Sequence, residues 1–188
     1  MKTSLLFAFA LIGALLIATP VQAQNSHGLG RARIFKGSTT IAIETDDDYA
    51  KAISQIVQFI DSGSYQVKKR ISSDGGFDFA KIVAYRPIAG DAKTTLFLKF
   101  SIVGKSKEEP TTRIYITGYY QKVGTKYPEI AINDPKEEPS ATIWAIEQNL
   151  AATYPDPLAK IWYSGIEFNQ RAESRVDLVK FLATADNP

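Results

Sequence analysis

From residue 34 onward the chain alternates apolar and polar positions in long runs, interrupted by stretches where apolar residues recur every three or four positions. The β-branched run Thr39-Thr40-Ile41-Ala42-Ile43 predicts a strand within residues 34–44. Tyr49, Ile53, Ile56, Val57 and Ile60 then recur at helical spacing, and Asp61-Ser62-Gly63-Ser64 ends that helix. Thr45 followed by Asp48 fits a capping box, and carboxylates in a first turn suit the positive end of a helix dipole. That accounts for the acidic triplet Asp46-Asp47-Asp48 without calcium, whose loop would need alternating oxygen ligands and a downstream glutamate.

Four strands follow. Tyr65–Ile71 and Phe77–Tyr85 alternate on either side of a hairpin connection, Ser72–Gly76. Leu96, Leu98, Phe100 and Ile102 share one face of Thr94–Val103, and Ile114, Ile116 and Tyr120 share one face of Thr111–Gln121. Residues 87–93 and 104–110 carry the Gly, Pro and charged residues of turns. Residues 122–139 form a longer loop with prolines at 128, 135 and 139 and a solvated charge run, Lys136-Glu137-Glu138. Ser140 caps a second helix reaching Tyr154, with Ile143, Ile146, Leu150 and Tyr154 on its buried stripe and Glu147 at the stripe's edge. Pro155-Asp156-Pro157 stops it. A strand or irregular aromatic segment over 158–168 and a last helix over 173–183, built on Val176, Val179 and Leu182, complete the chain. The order predicts an α+β fold, an antiparallel β-meander sheet of about five strands backed by two helices.

The first residues follow another pattern. Lys2, an apolar run from Leu5 to Ile17, and Val21-Gln22-Ala23 are the three parts of a cleavable signal peptide over 1–23. The run breaks at Thr19-Pro20, short of the roughly 20 apolar residues that a spanning helix needs. Residues 24–33 are expected to form a flexible arm and 34–188 a single α+β domain whose C-terminal segment begins near 155. The chain has no cysteine, hence no acceptor for a lipid anchor and no disulfide framework. The expected product is secreted or periplasmic, in a bacterial cell envelope, with no stable membrane anchor after cleavage.

Composition narrows the chemistry further. With 22 Lys+Arg against 20 Asp+Glu, total charge gives little steering and no nucleic-acid partner is expected. The single histidine, His27, falls in the arm, which removes the usual base of a serine nucleophile and the usual imidazole of a metal site. No phosphate-binding glycine loop or Gly-x-Ser-x-Gly turn occurs, so neither cofactor nor metal is called for. Paired carboxylates drawn from Glu44, Glu129, Glu147 and Glu167 are the remaining enzymatic possibility, that of a cofactor-free hydrolase. A carrier holding an apolar ligand between helices and sheet is another alternative.

One constellation stands out. If even-numbered positions of the two best strands face the core, Phe97, Lys99, Arg113, Tyr115 and Tyr119 share the opposite face. Lys68 and Arg70 of the hairpin join them, with Tyr65, Val67 and Ile71 inward and Lys69 an inward lysine whose amine must reach solvent. Cations among large aromatics bind sugars, anionic polymers or protein surfaces through stacking and charge-assisted hydrogen bonds. The same residues also stabilise a sheet as cross-strand pairs, or become interior if a C-terminal segment with Trp162, Tyr163 and Phe168 lies over them. On the binding reading, replacing Tyr115 and Tyr119 by serine leaves the fold intact and abolishes retention of a partner: a protein, a glycan or an anionic envelope polymer.

The strand TTIAIE, the helix DYAKAISQIVQFI, and the strands YQVKKRI, TTLFLKFSIV and TTRIYITGYY stand in an order that resembles a family of uncharacterised secreted bacterial domains with a TATA-binding-protein-like fold. The resemblance covers residues 34–154 and implies a helix-backed curved sheet with one open face. It brings no activity and no site residues. The sequence therefore predicts an exported, non-enzymatic binding or interaction module of the cell envelope.

Overall fold

The alternation along the longest strands reflects one sheet whose first face is fully packed and whose second is covered only in part. The computed structural model describes residues 30–74, 77–104, 111–166 and 168–185. Residues 1–23, expected to be a signal peptide, and His27 lie outside them. The elements in chain order are β1 (Thr40–Thr45), α1 (Tyr49–Ser62), β2 (Gln66–Asp74), β3 (Phe77–Ile88), β4 (Asp91–Val103), β5 (Thr112–Lys122), β6 (Glu129–Ile130), α2 (Ser140–Ala152), β7 (Lys160–Ser164) and α3 (Phe168–Thr184). The protein is α+β, with a 7-stranded sheet in the order β2-β3-β4-β5-β1-β7 and β6 paired to β5. The pairings are antiparallel. The meander is as expected. β1 closes against β5 and accepts β7 on its other side, so the earliest strand ends up interior.

The first face of the sheet holds the larger core. Ile41, Ile43, Ile82, Leu98, Phe100, Ile114 and Ile116 pack there against Ala52, Ile56 and Ile60 of α1 and Ile143, Trp144 and Leu150 of α2. Even positions of β4 and β5 point inward, as the alternation requires. Lys69 also points to this side, half-buried in a small recess with Val57, Asp61 and Val67 at the β2 edge. Ile71, expected on the inner side of β2, is 51% exposed near the end of that edge strand.

Local details correct the cap assignments. Asp48 is the N-cap of α1, its carboxylate accepting from the Lys51 amide at 2.8 Å. Thr45 instead accepts from the Asp47 amide at 3.1 Å and donates to Asp156, tying the entry of α1 to the turn after α2. Pro139 is the N-cap of α2, and the Ser140 hydroxyl accepts from the Ile132 amide at 3.3 Å. The arm is not loose throughout: Arg31 exchanges both backbone hydrogen bonds with Tyr163 at the edge of β7, at 2.8 and 2.7 Å.

Glu147 departs most from its expected place. It is fully buried rather than at an edge. Gly118 of β5 makes the room, since a Cβ there would stand 3.0 Å from the Glu147 carboxyl carbon and 2.5 Å from Ile143 Cγ2. Burial holds the Glu147 carboxyl well above the usual carboxylate range, opposed by the Gly118 backbone.

The second face is covered in part by α3. Leu178, Phe181 and Ala185 are buried against Val83, Phe97, Tyr119 and Ile130. Val176 and Val179, expected to build this helix's core, are 36% exposed. The buried stripe runs one flank away, because the sheet beneath offers Tyr119 and Phe97 as its apolar floor. Burying Leu178 and Phe181 contributes about 1.5–3 kcal/mol each, a small attachment beside the first core.

Candidate functional site

The residues singled out in the sequence do share the second face, and α3 divides them into two groups. Phe97 is 6% exposed and Tyr119 0%, both beneath α3. The Tyr119 hydroxyl shares a hydrogen bond with Ser174 of that helix. The expectation that these two aromatics are wet is therefore corrected: the C-terminal segment makes them interior. Lys68 and Arg70 reach the last turn of α3, Lys68 donating to the Leu182 carbonyl and Arg70 to the Thr184 carbonyl and hydroxyl at 3.2 and 2.9 Å.

Lys99, Arg113 and Tyr115 are partly exposed, with Lys99 beside the covered Tyr119 and Val83. Cross-strand register extends the row. Ser101 stands opposite Tyr115, Tyr115 opposite Ala42, and Ala42 opposite Trp162. On the other side Lys81 stands opposite both Ser101 and Arg70. One line across six strands thus reads Arg70, Lys81, Ser101, Tyr115, Ala42, Trp162. Ala42 is 1% exposed, a methyl group low between two large rings. One register step away, Glu44 bridges Arg113 at 3.2 Å and Lys160 at 3.6 Å.

Charge on this row is unbalanced toward the β2 side. Lys81 is held below the ordinary lysine range, first by burial and then by the nearby Lys99, with Asp177 of α3 opposing and Arg70 adding to the depression. Lys99 lies 5.5 Å from the centre of the Tyr119 ring. Arg70 and Lys81 lie 5.7 and 5.5 Å from the centre of the Phe181 ring. The cations are thus set on aromatic faces, which favours them electrostatically without neutralising them.

Sequence reasoning missed Lys81 and Lys160, and it set Trp162 in a segment lying over the face, whereas Trp162 belongs to β7 within the sheet and the cover is Leu178 and Phe181 of α3. Lys81 was legible in the alternation of Phe77–Tyr85. Lys160 and Trp162 were not, because their place depends on β7 pairing with β1 across the intervening chain.

The carboxylates considered for hydrolysis do not converge. Glu44 is on the second face, Glu129 is paired to Arg175 of α3 at 2.6 Å, and Glu147 is inside the first core. Glu167 lies outside the described residues. A different pair, Asp47 and Asp156, meets near Tyr154. Hydrogen bonding to Lys51 lowers the Asp47 carboxyl and hydrogen bonding to Thr45 lowers that of Asp156, so both are anions that lock loops and neither is poised as a general acid. Among the described residues no group of three or more potential ligands could hold a metal ion, and no helix is long and apolar enough to cross a membrane. Between α1 and α2 runs an open groove of about 270 Å³ lined by Ile56, Phe59, Leu150, Tyr154 and Pro155.

No family model, curated protein or solved structure matches this chain. The TATA-binding-protein-like fold expected from element order therefore has no solved structure beside it.

Proposed function

We propose that this chain is an exported, non-enzymatic binding module of the cell envelope, and that it takes an anionic partner along its second face, beside α3. The observation that carries the reading is the row itself. Arg70, Lys81 and Lys99 gather on one sheet face, continuous with Tyr115 and Trp162, while Glu44 is engaged with Arg113 and Lys160. Cations supply attraction to sulfate, phosphate or carboxylate groups, and flat rings beside them supply stacking area for sugars or side chains. With so little net charge on the chain, affinity must come from this local concentration.

Titration with dextran sulfate, a soluble polyanion, tests the reading. A variant carrying Lys81→Ala and Lys99→Ala should lose about tenfold or more in affinity, as expected when charge-assisted contacts worth roughly 1.5–3 kcal/mol are removed. Its melting should stay cooperative. Affinity equal to that of the native chain would overturn the proposal.

The groove between α1 and α2 favours a second reading, a carrier of a small apolar ligand. Intact-protein mass spectrometry after gentle purification from the native envelope separates the two. A retained apolar molecule supports the carrier, and a retained polyanion fragment supports the binding module.

A further inference from the structure

What lies over the second face is as informative as the face. The carbonyls in the last turn of a helix have no partner within it and carry the negative end of its dipole. In α3 two of these carbonyls, those of Leu182 and Thr184, are aimed at Lys68 and Arg70 of β2. Phe181 sets its ring against Arg70 and Lys81, and Asp177 is near enough to act on Lys81. The helix therefore offers this face oxygen acceptors, one carboxylate and an aromatic ring. Those are the groups an anionic partner would offer.

The match is incomplete. Arg70, Lys81 and Lys99 remain crowded together, with one carboxylate of α3 acting on Lys81. A partner with several full negative charges satisfies them better than carbonyl dipoles do. The attachment of α3 is also narrow. Leu178 and Phe181 are its buried apolar residues, joined by the half-buried Leu182 and by Ala185 just past its end, while Val176 and Val179 on the adjoining flank face solvent at 36%. A segment held by few apolar contacts opens at lower free energy than the core beneath it.

We propose that α3 is a tethered stand-in for the partner. It occupies the upper part of the cationic face, and a polyanion displaces it, uncovering Phe97 and Tyr119 as additional contact area. This rests on the binding role proposed above and adds its regulation: the resting chain shows half of its site, and the partner exposes the rest.

The test compares the full native chain with a variant carrying Leu178→Ser and Phe181→Ser, again with dextran sulfate. If the intact helix limits access, weakening its seat raises the competent fraction, and affinity should rise about tenfold. Added salt should weaken binding in both chains. Equal or weaker binding by the variant would overturn the stand-in while leaving the binding role in place. Binding by neither chain would overturn both. Should the variant fail to fold, hydrogen exchange on the native chain gives an independent answer. Faster exchange of the amides of residues 170–184 on adding dextran sulfate supports displacement, and unchanged or slower exchange there contradicts it.

Discussion

Glu147 presents a sharp problem at the scale of a single residue. Its carboxyl is fully buried with only the Gly118 backbone beside it to favour the anion, so the neutral acid is the form the fold accepts. The sign of the pH effect follows. In the unfolded chain a glutamate ionises near pH 4.3, whereas in the fold Glu147 keeps its proton to higher pH. Below the unfolded value both states are protonated and nothing is lost. Above it, stability falls by about 1.4 kcal/mol per pH unit until the folded pKa is reached. Glu147→Gln removes that slope. Denaturant titrations between pH 4 and 8 should show the variant gaining on the native chain as pH rises, and parallel curves would contradict the assignment. Tyr119 gives a second residue-scale prediction. As a fully buried ring, it should lose roughly 3–5 kcal/mol of stability on replacement by serine. Tyr119→Phe, which removes the hydrogen bond to Ser174, should cost about 1 kcal/mol. Thermal melting of the two variants distinguishes this from a surface role, in which both would melt like the native chain.

Among elements, strands were easier to read than helix faces. Alternation has one phase to fix, and Leu96 through Ile102 fix it; Lys99 and Arg113 then fall on the opposite side whatever covers them. In α3 the expected stripe of Val176, Val179 and Leu182 meets the sheet only through Leu182, because Leu178 and Phe181 offer the same spacing on the next flank and hydrophobicity along the chain does not say which flank meets a sheet. Glu147 was misplaced for a related reason, since the space it fills is made by Gly118 on another element. That contact is itself testable. Gly118→Ala drives a methyl into Ile143 and the Glu147 carboxyl, and should cost about 1–3 kcal/mol by displacing α2 from β5. A change in unfolding free energy within experimental scatter would show that α2 yields without strain.

Across the whole molecule, the α+β class and the antiparallel meander were legible because each follows from local patterning. The insertion of β1 between β5 and β7, and the placing of α3 on the second face, were not, because both are contacts between distant segments. They decide the site. Without β7 there is no Trp162 beside Ala42, and without α3 the sheet would present Phe97 and Tyr119 openly. The resulting chain is nearly neutral in total and uneven in distribution, with a concentration of cations on one half-covered face. Lysine acetylation footprinting, with and without dextran sulfate, examines that distribution directly. Lys81, Lys99 and Lys160 on the second face should be protected, with Lys36, Lys126 and Lys136 labelled as before. Uniform protection of all six, or protection confined to the latter three, would contradict it.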